Sequence, residues 1–343
     1  MGLQLAFQEQ GKGGAVRGAI LEVLRKHDGN WVSGEELSRI LGMSRAAVSK
    51  HMRLIRDAGY PVEAMTRRGY RLGGDADSLH PAAVCHGLGT RLLGRGTVLH
   101  MESVPSTNME ARVLAERGAP EGSVVLADCQ TAGRGRQGRT WLSPRGGVYM
   151  SVVLRPQCAP QQVPVLTLMT VVAVVGAVRG LTGLPAMPKW PNDVLVHGRK
   201  LSGVLIEAGL VVDALDYAVA GIGINVNTVC SELERDGMRA VSLRGALEAH
   251  HGTEQPQLPR AGVARAVLEA LEEAYELFRS GGGAAVVARW KQLAGITGSS
   301  IRLGRGDAVL TGKVRDVDDN GWLLLEDESG TVHRLPAGDI LDG

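Results

Sequence analysis

Three glycines and three arginines fall within seven consecutive positions, Gly133 to Arg139, in the segment QTAGRGRQGRTW from Gln130 to Trp141. Across the 64 residues from Cys129 to Asn192 there is no Asp or Glu. Arg134, Arg136 and Arg139, set on alternating sides of a mobile glycine loop with exposed backbone N–H groups, suit phosphate or carboxylate held by forked, charge-assisted hydrogen bonds. A solvated basic loop would use the same residues. Gly133, Gly135 and Gly138 also satisfy G-x-G-x-x-G, but a dinucleotide turn must open a helix and be followed by an acid about 20 residues on. Pro144, Gly146 and Gly147 block such a helix, and no acid follows. No Gly-Lys-Ser/Thr closes the loop, which excludes a Walker A motif.

A second cluster, KWPNDVLVHGRKLSG, runs from Lys189 to Gly203. Asn192 and Asp193 precede an apolar strand; His197 and Gly198 turn it; Arg199 and Lys200 head the next strand. Across that hairpin the Lys200 ammonium and the Asp193 carboxylate can meet at one end of a sheet, although a surface hairpin with a turn lysine reads the same way. A third segment, YAVAGIGINVN from Tyr217 to Asn227, puts Gly221, Gly223 and Asn225 on one strand face. Small residues there let a flat ligand approach the backbone, or else mark a bulge.

GRGRQGRTW, KWPNDVLV followed by GRKLSG, and GIGINVN stand in the order and spacing of the biotin protein ligases, which this chain resembles over roughly residues 15–343. That family's biotin-contacting Ser-Thr-Asn occurs as Ser106, Thr107 and Asn108 in SVPSTNMEA. The bifunctional form, a ligase that also represses the biotin operon, is the nearest likeness. The resemblance implies an ATP-dependent reaction in two steps. The biotin carboxylate attacks the α-phosphate of ATP to give biotinyl-5'-AMP and pyrophosphate; the biotinyl group then passes to a lysine of the biotin carboxyl carrier protein of acetyl-CoA carboxylase.

By that resemblance Lys200 carries the charge on the α-phosphate, an electrostatic role of the oxyanion-hole kind. Arg134, Arg136 and Arg139 neutralise the carboxylate and the leaving phosphates, with Mg2+ sharing that work. Ser106, Thr107, Asn108 and Gln130 are expected at the ureido ring, with Gly133, Gly135 and Gly203 also against biotin. Trp141 and the loop glycines are expected to close over the ligand; Asn192, Gly221, Gly223 and Asn225 are expected at the adenylate, Asn225 also near the metal. Asp193 either holds Lys200 or helps deprotonate the acceptor lysine.

The elements that must position these groups differ in texture along the 343 residues. Residues 12–72 carry twelve Lys or Arg against six Asp or Glu, net +6; the whole chain is +2, so the remainder is net −4. Within that basic segment Ser33-Gly34-Glu35-Glu36 reads as a capping box opening a helix to about Ile40. Leu41-Gly42-Met43 is a tight turn, and Ser44 caps a helix from Arg45 to about Ala58. Val48, Met52 and Ile55 form its buried stripe, leaving Arg45, Ala46, Ser49, Lys50 and Arg53 outward with Ser44. Pro61 to Ala64, Thr66 to Gly69 and Tyr70 to Leu72 then make a short hairpin tipped by Arg67 and Arg68. A helix-turn-helix with a basic wing binds operator DNA through the start of its second helix. A three-helix module with a solvated basic face is the alternative.

A polar, glycine-rich linker follows from Gly73 to Ser78. Strands are expected at 97–101, 123–128, 148–154, 194–196, 203–208 and 217–222, with helices at 107–117, 163–180 and 259–279. Runs of adjacent strands make this an α+β domain, and the resemblance makes it the mixed sheet of class II aminoacyl-tRNA synthetases. Short strands at 300–303, 308–317, 321–326 and 331–336, with Asp-Asn-Gly and Ser-Gly turns, read as a small SH3-like β-barrel. The expected division is 1–14 flexible, 15–73 winged helix-turn-helix, 74–80 linker, 81–295 catalytic and 296–343 C-terminal.

At 44% apolar the composition is that of an ordinary globular protein. No signal peptide is visible in MGLQLAFQEQGKGG. The apolar stretch Val163–Val178, broken by Pro164, Thr167, Thr170 and Gly176, is too short to span a bilayer and reads as a buried helix. Cys85, Cys129, Cys158 and Cys230 show no metal spacing, which predicts reduced thiols, a cytoplasmic location and no structural zinc. Homodimerisation is expected with bound biotinyl-AMP as corepressor. One stretch departs from repressor-type relatives: where they fold an aromatic-containing loop over the adenylate, Thr228 to Ala240 reads TVCSELERDGMRA, with only Val229, Leu233 and Met238. Two rival readings stay open, a biotin-sensing regulator without catalysis and a lipoate or octanoate ligase; the intact Lys200 and arginines weigh against the first, the biotin-type motifs against the second.

Overall fold

A computed structural model of the chain describes residues 12–27, 30–57, 60, 62–72, 77–212, 214–229, 239–305 and 308–341. The chain divides into two compact units, Met1–Ala83 and Val84–Gly343.

The first unit holds α1 (Lys12–Lys26), α2 (Gly34–Leu41), α3 (Arg45–Asp57) and the hairpin β1 (Val62–Met65) with β2 (Gly69–Leu72). Ser33 caps α2 by accepting from the Glu36 N–H at 3.0 Å. The Glu36 carboxylate turns instead to His27 Nε2 at 3.6 Å, so only the serine half of the expected capping box forms. Gly42, at φ 62°, ends α2 with its N–H on the Ser38 carbonyl, and Ser44 accepts from the Ala47 N–H at 3.2 Å to open α3. Val48, Met52 and Ile55 are buried as their spacing requires, against Ile20, Leu24 and Leu37.

The hairpin is tied down by a bridge between Val32 and Tyr70, their N–H groups donating to each other's carbonyls at 2.7 and 2.8 Å. Only glycine fits at 69: φ is 103°, and a Cβ would lie 2.1 Å from the Val32 carbonyl oxygen. Arg67 takes a left-handed φ of 69° at the hairpin tip. Ala58 at the expected end of α3, Pro61, the linker residues 73–76 and the first eleven residues lie outside the described residues.

A short helix, α4 (Pro81–Val84), precedes the second unit's main sheet. That sheet is built from β3 (Val98–Val104), β4 (Val124–Gln130), β5 (Val148–Leu154), β6 (Ala186–Lys189), β7 (Asp193–Val196), β8 (Arg199–Val211) and β9 (Ala214–Ile224). Their order is β3-β4-β5-β9-β8-β7-β6. Only β3 and β4 run parallel, joined by α5 (Thr107–Glu116). Every residue of β5 is buried, as a central strand covered on both faces requires. On one face Ala111, Leu114 and Ala115 of α5 pack on Val125, Val153 and Val219. By alternation Ser151, Gly221, Gly223, Gly203 and Glu207 share that face.

The long apolar α6 (Val163–Thr182) and α8 (Arg260–Ala294) pack on each other and on β5, β8 and β9. A helix of α6's length and composition could cross a membrane, yet here most of it is buried inside the unit. Several elements escape the pattern reading, α1 and α4 among them. The edge strand β6 contains Pro188, which is tolerated at an edge because no ladder N–H is needed there. The helix α7 (Leu243–His251) is capped by Ser242, whose hydroxyl accepts from the Gly245 N–H at 3.2 Å. Beyond the expected end at 279, α8 kinks at Gly282 (φ 67°) and resumes to Ala294. The tail forms β10 (Ser300–Arg305), β11 (Ala308–Val317), β12 (Leu323–Glu326), β13 (Val332–Leu335) and β14 (Asp339–Leu341), a sheet ordered β13-β12-β11-β10-β14. Trp190, buried between these parts, donates its indole N–H to the Gly321 carbonyl at 3.1 Å.

Candidate active site

The glycine–arginine segment is a closed hairpin rather than an open loop. Arg134 bridges Thr140; the N–H of Gly135 donates to Arg139 O at 2.7 Å, that of Trp141 to Gly133 O at 2.9 Å, and that of Arg139 to Arg136 O at 3.1 Å. Those three N–H groups are spent within the hairpin, and the arginines of the segment line the pocket. Gly133 sits at the hairpin base, buried, where a Cβ would come within 2.4 Å of Trp141 O. It packs at the hairpin base and is not among the residues that line the pocket.

The pocket, about 740 Å3, opens on the glycine face of β8 and β9. Its wall gathers Ser106, Thr107, Asn108, Gln130, Arg134, Gly135, Arg136, Arg139, Trp141, Asn192, Asp193, Lys200, Gly203, Gly221, Gly223 and Asn225. Every ligand residue expected from the sequence except Gly133 is thus brought together. The glycines do allow a close approach, but the flat group that makes it belongs to the chain. Cβ atoms at Gly203 and Gly223 would lie 2.9 and 2.4 Å from the Trp141 indole, and one at Gly221 would lie 2.0 Å from Asn108 Oδ1.

One end of the pocket is neutral and polar. Thr107 donates its backbone N–H to Gln130 Oε1 at 2.8 Å, and Gln130 Nε2 donates to Ser143 Oγ at 2.7 Å. Asn108 Nδ2 donates to Leu205 O at 3.2 Å and to Glu207 Oε2 at 2.8 Å. Ser151, fully buried, joins Thr107 and Asn108 at 2.8 and 2.6 Å. The Ser106 hydroxyl makes no cap bond at the start of α5, although its residue is buried against the pocket.

The other end is cationic. Lys200 Nζ lies 2.8 Å from Asp193 Oδ1, reached diagonally because the bulged register pairs Lys200 with Leu195 and Asp193 with Gly203, and 5.3 Å from the Trp141 ring centroid. Arg136 donates to Asn192 Oδ1 at 3.2 Å and to Gly338 O at 3.5 Å. Burial, opposed by Asp339 and Asp193, holds its guanidinium below its ordinary value. Arg139 pairs with Asp339 of β14, which pushes its value up. Asn192 is fixed by a hydrogen bond from Nδ2 to Val204 O at 2.9 Å. Asn225 donates Nδ2 to Val241 O at 3.2 Å, while its Oδ1 is buried without a partner.

Four residues that sequence reasoning missed shape the site: Ser143, Ser151, Glu207 and Asp339. Ser151 was within reach of the pattern, since strand alternation puts it on the glycine face; Glu207 and Asp339 are supplied from distant segments to a stretch that has no acid of its own. Of the departing loop after β9, residues 230–238, with Leu233 and Met238, lie outside the described residues; Val229 is exposed. At Arg239 the chain lies beside Lys200, whose N–H donates to Arg239 O at 2.8 Å.

Outside the pocket, Ser44, Arg45, Ala46, Ser49, Lys50 and Arg53 on α3 and Arg67 and Arg68 at the β1–β2 tip are all exposed.

Fold and site together define a ligand-binding protein whose pocket has one neutral, polar end and one cationic end. Comparison with known proteins narrows this. Residues 101–225 match the Biotin/lipoate A/B protein ligase family, residues 296–341 the Biotin protein ligase C terminal domain, and residues 17–71 an HTH domain. The bifunctional ligase/repressor BirA of Bacillus subtilis is 35% identical over 95% of this chain and 98% of its own length. The protein of the same name from Escherichia coli is 32% identical over 91% of this chain and 93% of its own. A biotin protein ligase from Aquifex aeolicus, solved in complex with biotin and ATP, superposes with a TM-score of 0.57 at 30% identity, covering 71% of this chain and 97% of that one. The chain belongs to the biotin protein ligase family, in the form that carries a helix-turn-helix domain ahead of the ligase.

Proposed function

We propose that this protein adenylates biotin with ATP, passes the biotinyl group to a lysine of the biotin carboxyl carrier protein, and represses biotin genes when loaded with biotinyl-5'-AMP. The observation that carries the catalytic part is the gradient along β9. Asn108 lies on Gly221, Trp141 on Gly223, and Asn225 faces the Lys200 strand; at about 3.3 Å per residue the wall passes from neutral to cationic in about 13 Å. Biotin is neutral and polar at its ureido ring and anionic at its carboxylate, so it fits with the ring at Ser106, Thr107, Asn108 and Gln130 and the carboxylate toward Lys200 and Arg136.

In the first step a carboxylate oxygen bonds to the α-phosphorus and the bond from that phosphorus to the bridging oxygen breaks, with pyrophosphate leaving. Lys200 and Arg136 hold the two reacting anions together and offset the charge gathering on the phosphoryl oxygens. Arg139 serves the leaving phosphates, and its pairing with Asp339 keeps it in place until they arrive. In the second step the carrier lysine's neutral amine attacks the acyl carbon, the C–O bond to the phosphate breaks and AMP departs, the amine's extra proton passing to solvent; Asp193, already on Lys200, orients that ammonium in both steps. Asn192 braces Arg136, and Trp141 covers the centre of the pocket.

For Mg2+ the residues fit a shared site. Among the described residues no three His, Cys, Asp or Glu side chains gather to hold a metal, but the buried, unpartnered Asn225 Oδ1 offers one hard oxygen ligand, and nucleotide-bound Mg2+ needs few from the protein. Mg2+ held there and by phosphates would add positive charge opposite the leaving group.

We also place domain boundaries at 15–73, 81–295 and 296–343, read the five-stranded tail as an SH3-like barrel, assign the chain to the cytoplasm, and expect a homodimer with bound adenylate. Exposed Lys50, Arg53, Arg67 and Arg68 support operator binding by α3 and the hairpin. Pyrophosphate release measured with biotin and with lipoate in one assay tests the catalytic reading: turnover is expected with biotin alone, and preference for lipoate or release with neither overturns it.

A further inference from the structure

Arg134, Arg136 and Arg139 follow one another on one hairpin, yet their side chains go to different places. Arg136 reaches Asn192 and Gly338 O, Arg139 pairs with Asp339, and both guanidinium groups feel the carboxylate of Asp193, the partner of Lys200. Arg134 turns the other way. Its Nη1 lies 3.0 Å from Glu207 Oε1, while Glu207 Oε2 accepts from Asn108 Nδ2 at 2.8 Å. Glu207 stands opposite Val219 on β8, and at about 3.3 Å per residue roughly 20 Å of strand separates it from Lys200. The carboxylate is thus held at the neutral end by the first turn of α5, and the Arg134 guanidinium is held with it.

We propose that Arg134 is a strap rather than an anion ligand: anchored on Glu207, it holds the start of the glycine–arginine hairpin onto β8 and α5 and takes no part in neutralising the carboxylate or the phosphates. Arg134 and Glu207 are then positioning residues. Their charges cancel, which keeps the wall around Thr107 and Gln130 neutral and leaves Arg136 and Arg139 to face the anions. The backbone bonds of the hairpin run between its own two strands, so the contact with Glu207 ties it to the domain at the end that the Arg136 and Arg139 contacts do not reach. The side chains of Arg134 and Glu207 are 49% and 23% exposed, and an ion pair so placed shifts an equilibrium by about threefold to fivefold.

Two measurements on the full chain test this, each with Glu207→Gln, Arg134→Gln and the double variant. Gln at 207 keeps an oxygen for Asn108 and removes only the charge. The first measurement needs no ligand: trypsin cleavage after Arg136 and Arg139, read by mass spectrometry, tracks the population of opened hairpin when opening is fast relative to cleavage. Cleavage at those sites should rise about threefold to fivefold in each single variant and no further in the double, because both changes remove the same pair. The second is the release of synthetic biotinyl-5'-AMP under a chase of unlabelled adenylate, and it rests on the function proposed for the pocket. Release should accelerate by the same factor, again without adding in the double variant. A direct anion contact gives another pattern: Glu207→Gln frees the guanidinium for the ligand and slows release or leaves it unchanged, Arg134→Gln speeds it, and cleavage of the ligand-free chain does not move. That pattern, or effects of the two changes that add, overturns the strap. A chain that never binds the adenylate overturns the proposed function instead, and the cleavage comparison still decides the strap.

Discussion

Lys200 is held by Asp193 on one side and lies near the Trp141 ring on the other, so its ammonium is fixed before substrate arrives. A preorganised charge acts on the transition state more than on the bound ground state. Lys200→Met should therefore keep biotin affinity within a few-fold while depressing adenylate formation by roughly 100-fold or more; equal losses in calorimetric biotin affinity and single-turnover rate would make Lys200 a ground-state binding group. That pairing was legible because 193 and 200 flank one turn, although the strands meet with a bulge that sets the two residues diagonally. Glu207 and Asp339 were not legible: they meet arginines 73 and 200 positions away, and no local pattern announces a partner at that range. Asn108 was legible as a site residue, but not as a brace whose amide is already committed to Leu205 and Glu207.

At the scale of elements, the hairpin from Gly133 to Trp141 exists because glycine alone fits at its base. A serine Cβ at 133 would press on the Trp141 carbonyl at 2.4 Å and on Ser143 Oγ at 2.6 Å, contacts that backbone cannot relieve without opening. In Gly133→Ser the displaced Arg136 should let biotinyl-5'-AMP escape and label lysines on bystander proteins. Mass spectrometry that finds only the carrier lysine modified, at wild-type adenylation rate, would show that the hairpin does not retain the intermediate.

The seating of α8 makes a second prediction at this scale. Its first residue, Arg260, is only 4% exposed and binds Asp128 of β4 at 2.9 Å and Gly147 O at 3.1 Å. Burial alone would raise the Asp128 carboxyl, but the hydrogen bond from His100 and the Arg260 charge outweigh it and hold it below the ordinary carboxylate range. A depressed folded-state value means stability fully present above about pH 3.9, the unfolded value, and lost as pH falls through the folded one. Asp128→Asn should cost about 3–5 kcal/mol at neutral pH by taking the carboxylate charge away from a buried guanidinium. Urea midpoints of the two proteins should converge as the pH drops below about 4; a gap that stays constant would mean the loss is packing rather than charge. Patterning found β5 and the start of α6 to the residue, while β6 and the far half of α8 escaped because proline and a glycine triplet signal breaks that tertiary packing overrides.

At the scale of the whole molecule, every residue lining the pocket belongs to the second unit, while the exposed basic surface of α3 and the β1–β2 tip belongs to the first. This division was readable from charge alone, since the first 72 residues hold the chain's net positive charge. Its consequence is that DNA binding and catalysis should separate under mutation yet remain linked through ligand. Saturating biotin and ATP should strengthen binding to a two-fold-symmetric operator if the proposed ligand-bound dimer forms, because it would present two recognition helices at once. The gain is bounded by the difference in ligand affinity between monomer and dimer. Lys50→Ala and Arg68→Ala should both weaken that binding without changing pyrophosphate release. If Arg68 neutralises one phosphate, its removal should also flatten the slope of log affinity against log salt by about one unit. Footprinting on the biotin-gene promoters of the source organism reads all of this out. Protection that is absent at low salt with ligand saturating would leave the first unit without an operator role, and protection indifferent to ligand would sever it from the ligase pocket.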